Sequence, residues 1–295
     1  MNKRYLLIVL LILGTAFWGI SFPVTKMAVG AVSQSTFLLY RFLLATIVLT
    51  VVLGRQVKKT TPKNIIEGVT LAVPLTLGIY FQTLGLRYTV ASQCAFVAGS
   101  CVIIIPIIKL LFHRTAVDLK IWLAATIALV GLFVISIKDG FYINIGDLYT
   151  IIGAFGFSIY MIRVEKYSAA GNIVPTIVPM FLTCTLIMLC IAVMDNTATW
   201  IPQTQGFWTG IIYCALFSTA YMYTVSNIAQ RYISAEKVAI IYLFEPLFAA
   251  IAAVFLLGEI ITWRMLIGGA MILAGTLISE VKPKPQQAKE PAKAI

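Results

Sequence analysis

Charge is what this sequence has least of. Asp, Glu, Lys and Arg make up only 11% of its 295 residues, where a soluble domain carries about 25%. Acidic residues are the scarcest, with 11 Asp and Glu against 22 Lys and Arg, for a net charge of +11. Hydrophobic residues account for 60%, and the mean hydropathy is +0.96. A water-soluble fold of this length cannot hide so much apolar surface, because much of its exterior must face water. Lipid is the solvent this composition fits. The basic residues fall in short clusters between apolar runs, which points to orientation in a membrane and away from nucleic acid.

Other absences narrow the chemistry. There is a single histidine, His113, and the five cysteines, Cys94, Cys101, Cys184, Cys190 and Cys214, contain no C-x-x-C pair. A disulfide framework, a zinc site or any other metal site is therefore not expected, and the cysteines read as small apolar fillers. No G-x-x-x-x-G-K-[ST] loop is present to cradle a nucleotide phosphate. No constellation of intramembrane acids supplies a catalytic site, and no extended polar region supplies a receptor or scaffold domain. The expectation is a protein without a cofactor that is not an enzyme. A membrane-embedded enzyme or an assembly scaffold is the less favoured alternative.

What is present is a series of apolar runs. Crossing a bilayer takes a helix of about 20 apolar residues. Ten runs approach that length: 5–25, 34–54, 65–86, 92–112, 119–137, 146–163, 173–194, 207–230, 238–258 and 262–279. They are too long, and alternate too little, for the strands of a β-barrel. The first run follows Lys3-Arg4 as a secretory signal would. It lacks a small-x-small cleavage site, however, and nine more runs follow, so it reads as an uncleaved first span. Turn signals separate the runs, among them Thr60-Thr61-Pro62, Lys138-Asp139-Gly140 and Asp195-Asn196. The tail from Lys282, with Pro283, Pro285 and Pro291 among Lys, Gln and Glu, reads as a solvated, disordered cytoplasmic segment.

With the N-terminus in the cytoplasm, the Lys and Arg residues outside the spans sort sixteen to the inside and four, Lys26, Arg87, Lys138 and Arg264, to the outside. Arg41 and Lys109 lie inside spans, and Lys120, Arg163 and Arg264, at span edges, are counted with the sides. This is the bias of the positive-inside rule, and the basic tail requires an even number of spans. The chain also repeats weakly. A shift of 144 residues lays Arg87-Tyr88 on Arg231-Tyr232, Ala91 on Ala235, Leu129 on Leu273 and Gly131 on Gly275. Each half then holds five spans, with units at 1–138 and 139–281. Five is odd, so the second unit enters the membrane from the opposite side. Inverted repeats of this kind are a frequent architecture of secondary transporters.

On these residues the sequence resembles the EamA family of the drug/metabolite transporter superfamily. The resemblance rests on Leu243-Phe244-Glu245-Pro246, Leu256-Leu257-Gly258-Glu259, Ile267-Gly268-Gly269 and Ala274-Gly275. Phe17-Trp18-Gly19, Arg41 and the stretch from Ala91-Ser92 to Pro106 support it in the first half. The halves differ where chemistry is concerned, because Cys101 and Thr115 stand where the second half has Glu245 and Glu259. The resemblance implies an all-α membrane fold of ten helices in two inverted five-helix units, in the inner membrane of a bacterium. It implies a secondary transporter that exports or exchanges a small metabolite such as an amino acid. Import of a nucleotide-like metabolite is the alternative within the same fold. It also implies a central cavity lined by spans one, three, four, six, eight and nine, with the fifth and tenth at the periphery.

A charge in hydrocarbon is costly, so those in the spans are the first candidates. Glu245 lies eight residues past Lys237, about 12 Å into a core about 30 Å thick. It is expected to face protein or a water-filled cavity, as a ligand for a cationic group or proton or as a structural bond to another helix. Arg41 is read as a partner for a substrate carboxylate or for Glu245, or as an interhelical bond. Lys109 reads as a snorkelling side chain near a span end, and Glu259 as an interfacial partner of Arg264. The candidate pocket adds Trp18, Tyr80, Gln82, Ser100, Tyr160, Tyr221 and Asn227, because solute sites are mostly apolar with a few orienting polar groups. Pro23, Pro74, Pro106, Pro179 and Pro246 are expected to shape or hinge the spans. The expected partners are the lipid bilayer, a small solute and protons, in a monomer or homodimer. Reporter fusions after Lys59 and after Asp195 are expected to report opposite sides of the membrane; the same side from both contradicts this topology.

Overall fold

The computed structural model describes residues 3–89, 91–112, 114–136, 144–248, 251 and 262–280. His113, the Lys138 turn, Glu259, much of the expected ninth span and the tail lie outside them. The described residues form helices α1 (Lys3–Ala31), α2 (Gln34–Val52), α3 (Gly54–Val57), α4 (Pro62–Tyr88), α5 (Ala91–Gly99), α6 (Cys101–Phe112), α7 (Leu119–Ser136), α8 (Ile145–Ala170) and α9 (Val174–Met194). They continue with α10 (Gln205–Tyr213), a π-helical segment (Cys214–Tyr221), α11 (Met222–Ala229), α12 (Ala235–Tyr242) and α13 (Trp263–Glu280).

Among the described residues seven helical stretches are long and apolar enough to cross a membrane, and two shorter apolar helices lie at 119–134 and 266–279. The expected fourth span is α5 and α6 end to end, and the eighth is α10, the π segment and α11. The ninth is described only through α12 and residues 244–248. Large apolar side chains stand exposed around the bundle, Val51, Ile66, Leu119 and Met194 among them. In water such a surface would drive association, whereas in lipid it needs no cover.

The helix starts follow from local chemistry. Thr61 caps α4 in a reciprocal box with Asn64, with Pro62 in the first turn, so that donors a helix leaves unpaired at its start are satisfied. Asn144 and Asp147 form the same box at α8. The Ser33 hydroxyl accepts the Thr36 amide at α2. At the far end of α9, Asp195 accepts from the Ser35 and Thr197 side chains. These hydroxyls, Ser35 foremost, hold its carboxyl below the usual carboxylate range.

Small residues set the close approaches. A Cβ on Gly131 of α7 would stand 2.6 Å from the Gly268 carbonyl of α13, and one on Gly275 would stand 2.6 Å from the Ala124 carbonyl of α7. Those two contacts are counterparts under the 144-residue shift, which carries Ala124 to Gly268 and Gly131 to Gly275. The helices of the fifth and tenth expected spans, α7 and α13, thus pack on each other within one chain. A second seam joins α4 to α8. Cβ atoms on Gly85 and Gly153 would stand 2.7 Å from the Gly146 and Gly78 carbonyls across it. Without a hydrophobic drive between helices in lipid, contact at this range is what holds them together. Replacing Gly131 or Gly275 by alanine is expected to destabilise the fold by about 1–3 kcal/mol. The measurement is thermal unfolding in detergent, with Gly54→Ala, which has open space for a Cβ, expected to leave the midpoint unchanged.

Candidate functional site

The chamber lies where seven of the expected spans converge. It encloses about 870 Å³ not filled by atoms, open solvent included. Span one contributes Trp18, Ser21 and Thr25; span two, Arg41; span three, Gly78, Gln82 and Leu86; and span four, Ala95, Gly99 and Cys101. Thr150 and Phe157 come from span six, Tyr223 from span eight, and Tyr242, Leu243, Glu245 and Pro246 from span nine. Neither α7 nor α13 reaches it.

The lining residues run from the middle of the bundle toward one end. At that end Lys26 donates to the Thr89 carbonyl and Asn144 to the Thr89 hydroxyl, 3.0 and 3.2 Å. Gln93 donates to Asp147, 2.7 Å. These bonds gather the C-terminal part of α1, the C-cap of α4 and the first turn of α5 and α8 into one rim.

The floor is aromatic. The Trp18 ring meets Phe157, Tyr223 and Tyr242 edge-on, with centroids 6.0, 5.6 and 4.8 Å away. Such edge-to-face pairs place ring edges on ring faces and fix the box without using a polar group. The Trp18 indole N–H donates to the Ser218 carbonyl, 2.7 Å. Ser218 belongs to the π segment, and so does the anchor of Arg41. The Arg41 guanidinium donates to the Thr219 hydroxyl, 2.7 Å, and to the Ser218 hydroxyl, 3.1 Å. A π turn widens the helix and re-aims its side chains, and such turns cluster at functional sites. Here it presents two adjacent hydroxyls to one cation.

Glu245 stands just past the break at Leu243 that ends α12. Among the described residues no donor bonds its carboxylate, and the charge that acts on it is Arg41. Arg41 and Glu245 are the single cation and single anion of the lining, and no direct ion pair joins them among the described residues. The lining therefore carries one basic and one acidic side chain, with Arg41 tied to the wall and the Glu245 carboxyl bonded by no donor among the described residues.

Of the residues singled out in the sequence, Trp18, Arg41, Gln82 and Glu245 line this chamber. Tyr160 and Asn227 are fully buried and bonded to each other, the phenol donating to the amide oxygen. Ser100 sits in the break between α5 and α6. Tyr80 accepts from Gln34 at 3.1 Å, and Tyr221 donates to the Leu10 carbonyl at 3.1 Å; neither is among the lining residues. Lys109, expected to snorkel, instead meets the carboxylates of Glu165 and Glu236. Ser218 and Thr219 had no signal in the sequence, because no glycine or proline marks the π segment. All five cysteines are free, and no cluster of metal-ligating groups occurs among the described residues.

Membrane-length helices around an internal chamber define a multi-pass membrane protein. The profile of the EamA-like transporter family matches residues 6–137 and 144–280, and the chain belongs to that family. Relatives carry the same class. An uncharacterized transporter of Archaeoglobus fulgidus is 27% identical over 266 residues, covering 90% of this chain and 82% of the relative. The uncharacterized transporter YyaM of Bacillus subtilis is 22% identical over 289 residues, covering 93% of each. A solved crystal structure superimposes with a TM-score of 0.77 at 13% identity, covering 95% of this chain and 97% of that one; it speaks for the fold alone. The protein is a membrane transporter. Tyr160→Phe removes the one partner that bonds the Asn227 amide oxygen among the described residues and is expected to cost about 1–3 kcal/mol of stability. Because Tyr160 lies outside the lining, solute affinity should stay within about twofold; a large affinity loss at unchanged stability would place Tyr160 in the site.

Proposed function

We propose that the protein is a secondary transporter that exports or exchanges a small zwitterionic or amphipathic metabolite, an amino acid or close relative, by alternating access. The observation that carries this reading is the presence of one anchored cation and one carboxyl without a bonded donor among the described residues, in a chamber otherwise lined by aromatic, aliphatic and uncharged polar side chains. A zwitterion brings one charge of each sign and leaves neither wall charge unmatched. A nucleotide-like phosphate brings several negative charges to a lining with a single cation, so the import reading is the weaker one. Arg41 presents the planar donor geometry that suits a carboxylate, Glu245 takes an ammonium group or a proton, and the Trp18 box receives the apolar part.

Two features support alternating access. The α7–α13 contact is reciprocal under the 144-residue shift. The helix breaks at Ser100 and Leu243 also fall within one residue of each other under it. In this reading the units, 1–138 and 139–281, are inverted copies, the termini are cytoplasmic, the membrane is the cell (inner) membrane, and a monomer or homodimer suffices. With no nucleotide site in the sequence, the solute gradient or coupled protons drive transport, and Glu245 is the group placed to couple them.

The test is uptake of labelled neutral amino acids into vesicles as a function of pH. Wild-type protein is expected to show pH-dependent uptake, and Glu245→Gln to lose that dependence. Unchanged pH dependence in the variant rules out Glu245 as the coupling group, and absence of uptake for all amino acids rules out the solute class.

A further inference from the structure

The chamber stops at its aromatic floor, yet the helices that line it continue, and three of them carry a charge at one depth below it. On α6, Lys109 lies eight residues beyond the lining residue Cys101; on α8, Glu165 lies eight beyond the lining residue Phe157. On α12, Glu236 lies seven before the lining residue Leu243. Seven or eight residues are two helical turns, so each charge sits on the chamber-facing side of its helix, about 10–12 Å beyond the floor. There they meet. Lys109 Nζ lies 2.8 Å from Glu236 Oε1 and also bonds Glu165. The Lys109 and Glu236 side chains are only 13% and 6% exposed.

Between floor and triad runs a buried polar stripe. From the lining residue Tyr223, the positions Ser226, Asn227 and Gln230 follow at the spacing of one helix face. Ser226 bonds Tyr242 of the floor, and Gln230 donates to Ser226. Among the described residues, two polar atoms on this stripe have no partner, Asn227 Nδ2 and Gln230 Oε1, although Asn227 and Gln230 are 0% and 2% exposed. Unpartnered buried polar atoms are costly and call for a reason. An apolar stripe would be cheaper if this region stayed packed.

We propose that Lys109, Glu165 and Glu236 form the gate that closes this end of the chamber, and that the Tyr223–Ser226–Asn227–Gln230 face lines the solute route when the gate parts. The unpartnered amide atoms are then the groups that water and solute meet in the open state. The triad suits a gate because its three members come from three different helices, α6, α8 and α12. Opening exchanges ion pairs for hydration, which costs far less than stranding a charge in a packed interior. This inference rests on the alternating-access reading, and by the charge bias this end is cytoplasmic.

The experiment needs no known solute. Gln230→Cys provides a thiol on the stripe, and the rate of its labelling by a membrane-impermeant maleimide is measured in vesicles of each orientation, with the native chain as background. With the triad intact, labelling is expected to be slow. Lys109→Gln leaves two carboxylates facing each other and is expected to raise labelling about tenfold from one face only. The swap Lys109→Glu with Glu236→Lys, made together with Glu165→Gln so that no carboxylate faces position 109, is expected to return it toward the slow rate. Asn227→Cys serves as a second reporter should the first fail to fold. Unchanged labelling in Lys109→Gln, or an equal rise from both faces, overturns the gate and leaves the triad a static staple. A one-sided rise supports the gate whatever solute the uptake assay finds.

Discussion

The cost of holding a charge inside a membrane organises this molecule. Few charges lie in the spans, and each described one is accounted for. Arg41 is held by two hydroxyls of a neighbouring helix, and Lys109 sits between two carboxylates. Glu245 faces the chamber rather than lipid. Because hydrocarbon offers no partner, these groups could only be placed where protein or water meets them. That requirement fixes the rotation of spans two, four, six and nine about their axes, and with it which residues face the chamber.

Close backbone contact does the remaining work. The α4–α8 and α7–α13 seams bring carbonyl oxygens within reach of where a Cβ would stand, so those faces admit only small residues. The first seam forms a wall of the chamber, since Gly78 and Gly153 belong to its lining. The second stands away from it and ties the two family-matched segments together at the periphery. The π segment sits between these rigid parts and supplies the anchor points for both Trp18 and Arg41. One local irregularity in span eight thus positions the aromatic floor and the cation at once.

The sequence was most legible where period and charge decide the outcome. Run lengths located the long helices to within a few residues, except that α1 continues to Ala31, past the expected end at residue 25, and α8 to Ala170, where the reading stopped at Arg163. The polar end of that helix, with Arg163, Glu165 and Lys166, reads as a loop by hydropathy, yet it is helical because Arg163 and Glu165 find partners on other helices. Glu245, Arg41, Trp18 and Gln82 were found because a charge or large polar ring in a span has few places to go. Lys109 was misread for a related reason. Position along a span shows depth but not rotation, and the two acids that meet Lys109 lie 56 and 127 residues away. Ser218 and Thr219 were invisible, since their role depends on a π turn that no residue type in the segment announces. The two α7–α13 glycine contacts fall in the register of the 144-residue shift, a match that hydropathy alone could not mark.

In the alternating-access reading one chamber is exposed at its two ends in turn. Spin labels at Met27 and Leu148, two residues beyond the lining residues Thr25 and Thr150, report the rim. Labels at Lys166 and Arg231, one residue beyond Glu165 and Gln230, report the opposite end. Pulsed dipolar distance measurement in lipid nanodiscs is expected to show two populations at each end. Conditions that lengthen one distance should shorten the other. A single unchanging distance at both ends, or both lengthening together, contradicts alternating access.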